Sequence, residues 1–349
     1  MEQSRTSGGT RRRTGADRYN AIGIRVTAQQ LVGVLVDLDG ELVDLGSGRG
    51  ASTGLRRHIL SRPLKDTDVA TVVTDIAALV DELWRIRPGV GERVVGIGVT
   101  VGGHVDGRSG TVLHSPNLHW NDVVPLAHLL RQAVGIEVVE VENDVNALAV
   151  AEEAFGAGLH SEHFAVITVD LDGVGAGLIL NHELYRGVGG LAGELGHIPD
   201  RGDELCRCQN HGCLETQAGG DVIVKRVREA GRPGVSNLDE AAALARQGDQ
   251  IAWNAFERAG EALGRGLASI VNVLNLGLFI IHTEPAVLEV NGPYRTAALR
   301  TLQARAFSTA AASCKILWRR RTDELEGRGA ASMAFHQLAD MFPPLAEEQ

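Results

Sequence analysis

The chain has 349 residues, a formal net charge of -10, 43 glycines and only 4% aromatic residues. That length suggests two lobes with ample chain to bury a core, and the acidic balance argues against a large nucleic-acid-binding face on the folded part. No apolar run is long enough to span a bilayer, no signal-peptide core is visible, and four cysteines in a chain this size do not make a disulfide framework, so a reduced, cytoplasmic protein is expected.

Residues 1–19 carry Arg5, Arg11, Arg12, Arg13 and Arg18 against Glu2 and Asp17, a charge of +3 that leaves -13 for the remainder. Such a basic, Gly/Ser/Thr-rich tail is expected to be disordered. Asn20 to Asp37 predicts two strands: Ile22 and Ile24 alternate, Ala28-Gln29-Gln30 turns, and Leu31 to Val36 is an apolar run. Glu41 to Leu45 predicts a third strand after the Asp39-Gly40 turn. Thr67 to Trp84 predicts a helix capped by Thr67 or Asp68. Val94 to Thr100 predicts a buried strand, and Gly102-Gly103 after it would either admit a ligand close to the backbone or simply turn the chain.

Pro125 to Gln132 predicts a short helix and Val138 to Val141 a strand, which ends in Glu142-Asn143-Asp144 where a further helix opens. That place at a strand's carboxyl end is where α/β sheets put ligands. Asp144 could take a proton from a substrate hydroxyl, or it could merely cap the helix, and the local residues leave both readings open. Phe164 to Val169 predicts a strand running into the Gly-rich turn 170–177, where Asp170 and Asp172 would repel phosphate unless a cation bridged them. Gly177 to Leu184 predicts a hairpin. Further on, helices are expected at Val222–Arg228, Leu238–Arg246, Phe256–Leu274 and from about Thr296. Strands are expected at Ala286–Val290 and Lys315–Trp318, and a closing helix at Gly329–Leu338.

The most informative stretch runs from Gly193 to Thr216. It holds Cys206, Cys208 and Cys213, with His197 close upstream, in a Gly-, Asp- and Arg-rich segment with little core of its own. Thiolates and imidazole suit a closed structural zinc site, and a metal could fold such a loop. Glu194 and His197, three residues apart, share one face of a single helical turn. Together they could form a metal-braced polar wall for a hydroxyl-rich ligand. Glu215, taken alone, is expected to be a helix-terminal surface charge.

These residues resemble the ROK family of repressors, open reading frames and sugar kinases, from about Asn20 to Leu338. Gly193-Glu194-Leu195-Gly196-His197 followed by Cys206-Arg207-Cys208-Gln209-Asn210-His211-Gly212-Cys213-Leu214-Glu215 matches the family pattern, with Gln209 standing where the family has glycine. Ser115-Pro116-Asn117-Leu118 and Leu184-Tyr185-Arg186-Gly187 match as well. The resemblance implies a two-lobed, actin-like (hexokinase-type, RNase H-like) α/β fold with an inserted zinc-binding loop. It implies structural zinc on His197, Cys206, Cys208 and Cys213. It also implies a sugar pocket containing Asn143, Asp144, Glu194, His197 and Glu215, with Asp144 as the base of any kinase reaction. The expected organisation is a tail over 1–19, an N-terminal lobe over 20–142, a C-terminal lobe over 143–328 with the zinc loop at 193–216, and a closing segment over 329–349 that returns to the first lobe.

Three departures from the kinase pattern bear on function. Arg25 stands where family kinases have the Asp of Asp-x-Gly-Gly-Thr, Leu171-Asp172-Gly173 replaces Gly-Thr-Gly, and Glu289-Val290-Asn291-Gly292 replaces a Gly-Gly segment. Phosphoryl transfer depends on positioning and charge stabilisation, so these losses argue against ATP and magnesium as cofactors. The expectation is a sugar-responsive regulator of the repressor branch, or a sugar-binding pseudokinase, acting as a homodimer or homotetramer. It would meet DNA only through a missing domain or a partner, and no membrane. The alternative is an ATP-dependent hexose or amino-sugar kinase, glucokinase-like, using Asp144.

Overall fold

Alternating isoleucines and an apolar run begin the first sheet. In the computed structural model, which describes residues 19–45, 58–86, 94–171, 173–289 and 292–341, they form β1 (Asn20–Val26) and β2 (Gln30–Asp37), paired antiparallel. The basic tail over residues 1–18 lies outside the described residues. The third strand is a correction. Glu41–Leu45 contributes only an isolated bridge, Val36 to Leu42, and β3 is Leu60–Pro63. The Asp37 carboxylate accepts the N–H groups of Asp39 and Glu41 in a tight turn, but β3 occupies the edge of β2 from Gln30 to Gly33, so the returning residues pair only with its end. Pro63 ends β3, as befits an edge strand.

The chain continues through α1 (Val69–Arg85), capped by Asp68, and β4 (Val94–Val101). The small hairpin β5 (His104–Asp106) and β6 (Thr111–His114) follows, then α2 (Leu126–Val134), β7 (Val139–Asn143) and α3 (Asp144–Phe155). The first sheet has the order β3-β2-β1-β4-β7, with β1, β4 and β7 parallel. One face of it buries Ile22, Ile24, Leu35 and Ile97 against Ile76 and Leu79 of α1 and Leu130 of α2.

The second sheet opens with β8 (His163–Val169), β9 (Val174–Leu180) and the short β10 (Glu183–Leu184). After the loop over 185–214 come α4 (Glu215–Ala218), α5 (Gly220–Glu229), α6 (Leu238–Arg246) and the long α7 (Gln250–Leu274). Next are β11 (Leu278–Thr283), α8 (Pro285–Glu289), α9 (Pro293–Arg305), α10 (Ser308–Ser313), β12 (Lys315–Arg320) and α11 (Asp323–Met341). Its order is β10-β9-β8-β11-β12. Here the strand expected at Ala286–Val290 is overturned. Those residues belong largely to α8, and the strand is Leu278–Thr283, buried along its whole length between β8 and β12. A central parallel strand is a continuous apolar run, which the sequence does not separate from the end of an apolar helix. α7 also begins earlier than its apolar pattern suggests, because Asp249 caps the N–H of Ala252.

Two helices join the sheets. α3 is buried from Val145 to Glu152, and α11 packs on β1, β4 and α3. The approach of α11 to the first sheet explains two strand glycines. A Cβ on Gly23 would sit 1.8 Å from the Gly327 carbonyl oxygen, and one on Gly98 would sit 1.7 Å from that of Ala330. The result is a two-lobed α/β fold of the actin-like type, with the carboxyl ends of β4, β7 and β8 facing one cleft. Among the described residues no helix is long and apolar enough to cross a membrane.

Candidate functional site

At the carboxyl end of β7 the contest over the helix cap is decided by position. Asn143, not Asp144, is the cap: its Oδ1 accepts the N–H of Val145 at 2.8 Å and of Asn146 at 3.2 Å. Its Nδ2 donates to the Gly103 carbonyl at 2.9 Å, and Ser115 Oγ donates to Gly102 O at 2.7 Å. Asn143 thus ties the Gly102-Gly103 loop to the start of α3. Asp144, as first residue of the helix, faces the cleft. Beneath it the buried Glu142 accepts from Asn143 N, Asn146 Nδ2 and Arg186 Nε at 2.9, 3.0 and 2.7 Å. A buried carboxylate with all these donors fixes the strand end from which Asn143 and Asp144 project.

The loop after β10 builds the facing wall. Leu195–His197 form one 3-10 turn, which places Glu194 Oε2 3.7 Å from His197 Nε2. Glu194 also lies 3.6 Å from His104 Nε2, on the other side of the cleft. Glu215, expected at the surface, is buried at 6% exposure, because α4 begins against α7 and turns its first residue inward. Arg207 forks onto it, with Nε at 3.1 Å and Nη2 at 2.9 Å. Asn143, Asp144, Glu194, His197 and Glu215 all line this one cleft, joined by Asn117, Thr168 and Arg207.

Behind that wall, His197, Cys206, Cys208 and Cys213 offer ligand atoms that all lie within 4.8 Å of one another. Cys206 Sγ is 3.5 Å from His197 Nδ1, and Cys208 Sγ is 3.5 Å from Cys213 Sγ. Zinc bonds of 2.0–2.3 Å in a tetrahedron place neighbouring donors about 3.3–3.8 Å apart, so the set can hold zinc. Burial and the adjacent Glu215 carboxylate push the Cys206 thiol far up, a cost that a bound cation would reverse. Gln209, the one departure from the family pattern here, adopts a left-handed backbone with φ of 70°, which accounts for the family's glycine. The loop is pinned to α7 by Arg265, whose Nε and Nη2 donate to Asp200 at 2.5 and 2.6 Å.

The opposite end of the cleft holds Arg321, Asp323 and Glu326, charges that sequence reasoning missed. Arg321, just after β12, donates from Nη2 to Asp144 Oδ2 at 2.9 Å, from Nη1 to Asp170, and from Nε to Glu326 at 2.5 Å. Burial opposes its charge, but Glu326, Asp170 and Asp144 outweigh burial and hold the guanidinium protonated. Burial pushes Asp170 up to about 6 against the pull of Arg321. Arg25, at the kinase-motif departure, ion-pairs with Glu326 and lies 2.8 Å from Asp323. The run Trp318-Arg319-Arg320-Arg321 was the available signal, but local pattern does not tell which arginine turns inward. Asp172, Val290 and Asn291, from the other two departures, lie outside the described residues.

Residues 22–337 match the description "ROK family". A xylose repressor of Caldicellulosiruptor bescii is 32% identical over 219 residues, which cover 59% of this chain and 54% of the repressor. A glucokinase of Thermotoga maritima is 32% identical over 258 residues, 68% of this chain and 80% of the kinase. The crystal structure of a ROK family transcriptional regulator, a homolog of the E. coli MLC protein, superimposes with a TM-score of 0.79 at 24% identity over 92% of this chain and 79% of that one, a likeness of fold. Repressors and kinases therefore match at similar identity, and the chain spans little more than half the length of the first two repressors it matches. The match covers nearly the whole chain, and this protein belongs to the ROK family.

Proposed function

We propose that this chain is a sugar-responsive regulator of the ROK repressor type, a sugar-binding pseudokinase by chemistry. The observation that carries the reading is the unequal state of the cleft's two ends. Asn143, Glu194, His197 and Glu215 line its polar part, Asp144 stands at the junction, and Asp170 at the other end shares the Arg321 guanidinium with Asp144. Carboxylates and an imidazole held by neighbours suit alternating donor and acceptor hydroxyls. Glu194 and Asp144 accept sugar hydroxyls, and zinc on His197, Cys206, Cys208 and Cys213 stiffens the wall from behind. Binding favours one arrangement of the two lobes and so biases a dimer, tetramer or partner interface. Operator contact is made through a separate domain or partner. Free cysteines that could ligate zinc suit a reducing compartment such as the cytoplasm.

The test is a melting series across xylose, hexoses and N-acetylhexosamines, run beside an ATP-dependent phosphorylation assay. At least one sugar is expected to raise the melting temperature, and Asp144→Asn to abolish that rise, with no phosphorylated product. The competing reading, an ATP-dependent sugar kinase using Asp144, is favoured by the glucokinase match. Turnover that vanishes in Asp144→Asn would establish it and sink the regulator. No response to any sugar would remove both.

A further inference from the structure

Beside Asp144 and Asp170 of the cleft stands a nearly buried cation that belongs to the chain itself. Arg321 is 10% exposed, and its three donor nitrogens reach three carboxylates from three different elements: Asp144 at the start of α3, Asp170 after β8, and Glu326 in α11. Its own backbone N–H is held by the Thr283 carbonyl at the end of β11, at 3.2 Å. Glu326 is shared with Arg25 from the end of β1, so the network touches both sheets and the helix between them. Magnesium and a nucleotide phosphate do not fit these residues. A hard divalent ion wants free carboxylate oxygens, and those nearest the base are turned onto a guanidinium. A phosphate would meet Asp170, whose neighbouring cation Arg321 is already shared among three carboxylates.

We propose that Arg321 is a positioning residue of the cleft: a built-in cation that takes the place a divalent ion would fill beside Asp144, and orients that carboxylate to accept a sugar hydroxyl. The inference rests on the sugar reading of the cleft. Each Asp144 oxygen already receives one donor, Oδ2 from Arg321 and Oδ1 from the Val145 N–H at 3.1 Å. The plane of the carboxylate is therefore set before any ligand arrives, and the remaining lone pairs face the cleft. A tethered guanidinium does not leave with product or exchange with solvent. The pocket can then report sugar without depending on the metal or nucleotide supply. The same tether connects the sugar-facing group to Arg25 and α11, the helix that packs on the first sheet.

The experiment uses manganese as probe, read by water-proton relaxation, on the full chain and on Arg321→Gln, Arg321→Lys and Arg321→Gln/Asp170→Asn. The native protein is expected to show no manganese site that depends on Asp170. Arg321→Gln removes the cation and leaves three carboxylates converging, so manganese affinity should rise about tenfold or more. The added Asp170→Asn change should abolish that gain, and Arg321→Lys should restore native behaviour. A merely structural arginine would lower stability without creating this site. No gain in Arg321→Gln overturns the proposal. If that variant does not fold, the native chain is compared with the single change Asp170→Asn, and manganese binding that this change abolishes overturns the proposal. A sugar melting shift, measured in parallel on the native chain and Arg321→Lys, separates the two claims. Absence of any shift removes the sugar reading and leaves the manganese result to stand or fall alone.

Discussion

The two ends of the cleft are held by different means. The loop over 193–214 has few apolar anchors, chiefly Leu195 and Leu214, and carries a His/Cys cluster that could hold zinc together with the Asp200–Arg265 fork. The opposite end sits on strand termini that sheet hydrogen bonds already place, and charges only trim it: Arg25 and Arg321 against Asp144, Asp170, Asp323 and Glu326. A segment without a core can be fixed by coordinate bonds, and it then fails as a unit when the metal leaves. A segment fixed by a sheet keeps its backbone when an ion pair is lost, and it changes in charge and ligand preference first.

The largest effect should come from breaking the first kind of support. Chelation, or Cys213→Ser, should melt the loop and abolish sugar binding. Structural zinc of this donor type contributes about 10 kcal/mol or more, so no single substitution below should match it. Calorimetric melting with and without chelator, followed by zinc add-back, checks this. A melting curve indifferent to chelator would show that the cluster works without metal.

Next in size is Arg265→Ala, which strands the nearly buried Asp200 carboxylate and should cost about 3 kcal/mol in urea unfolding. Sugar affinity should fall with it, since Asp200 lies in the same loop as His197. Unchanged affinity would mean that metal ligation alone sets the wall.

At the other end, Asp170 supplies a pH test. Its carboxyl is raised to about 6 from an unfolded value of 3.8, so between those values the folded chain holds more protons than the unfolded one. Stability from this group therefore rises as pH falls through about 6 and levels off below about 4. It is lower and constant above, by at most about 3 kcal/mol. Urea unfolding from pH 4 to 7 should show this slope in the native chain and lose it in Asp170→Asn. Identical slopes would show that Arg321 already holds Asp170 ionised throughout.

The smallest effect is at Gln209. Glycine there relieves a left-handed backbone worth roughly 1–2 kcal/mol, partly offset by greater freedom of the unfolded chain. Gln209→Gly should stabilise the metal-loaded protein by about 0.5–1 kcal/mol, measured by urea unfolding. A loss of stability would mean that the side chain's bond from Nε2 to the Arg207 carbonyl outweighs the strain.

Local pattern made much of this molecule legible. The paired Ile22 and Ile24, the apolar stripe of α1 and the Asn143-Asp144 pair after β7 are short-range signals, and each lies where its period or cap places it. The Cys206–Cys213 spacing brings ligands together within a few residues, so the cluster could be read before any fold was known. Legibility failed where neighbours distant in the chain decide. Leu278–Thr283 is a strand because β8 and β12 flank it, and the buried state of Glu215 follows from α7 and Arg207.

By itself, then, the sequence determined most of the strands and helices and a His/Cys cluster that could hold a metal, because these depend on short-range periodicity and spacing. Only the tertiary structure decided that Asn143 caps while Asp144 faces the cleft. It alone brought Glu194 and Glu215 to the cleft wall opposite Asp144, and it alone chose Arg321 from three consecutive arginines to meet Asp144 across 177 positions of chain. The physical reason is that a buried charge must find its partners in space. The packing of β12, α3 and α11 sets which carboxylates are within reach.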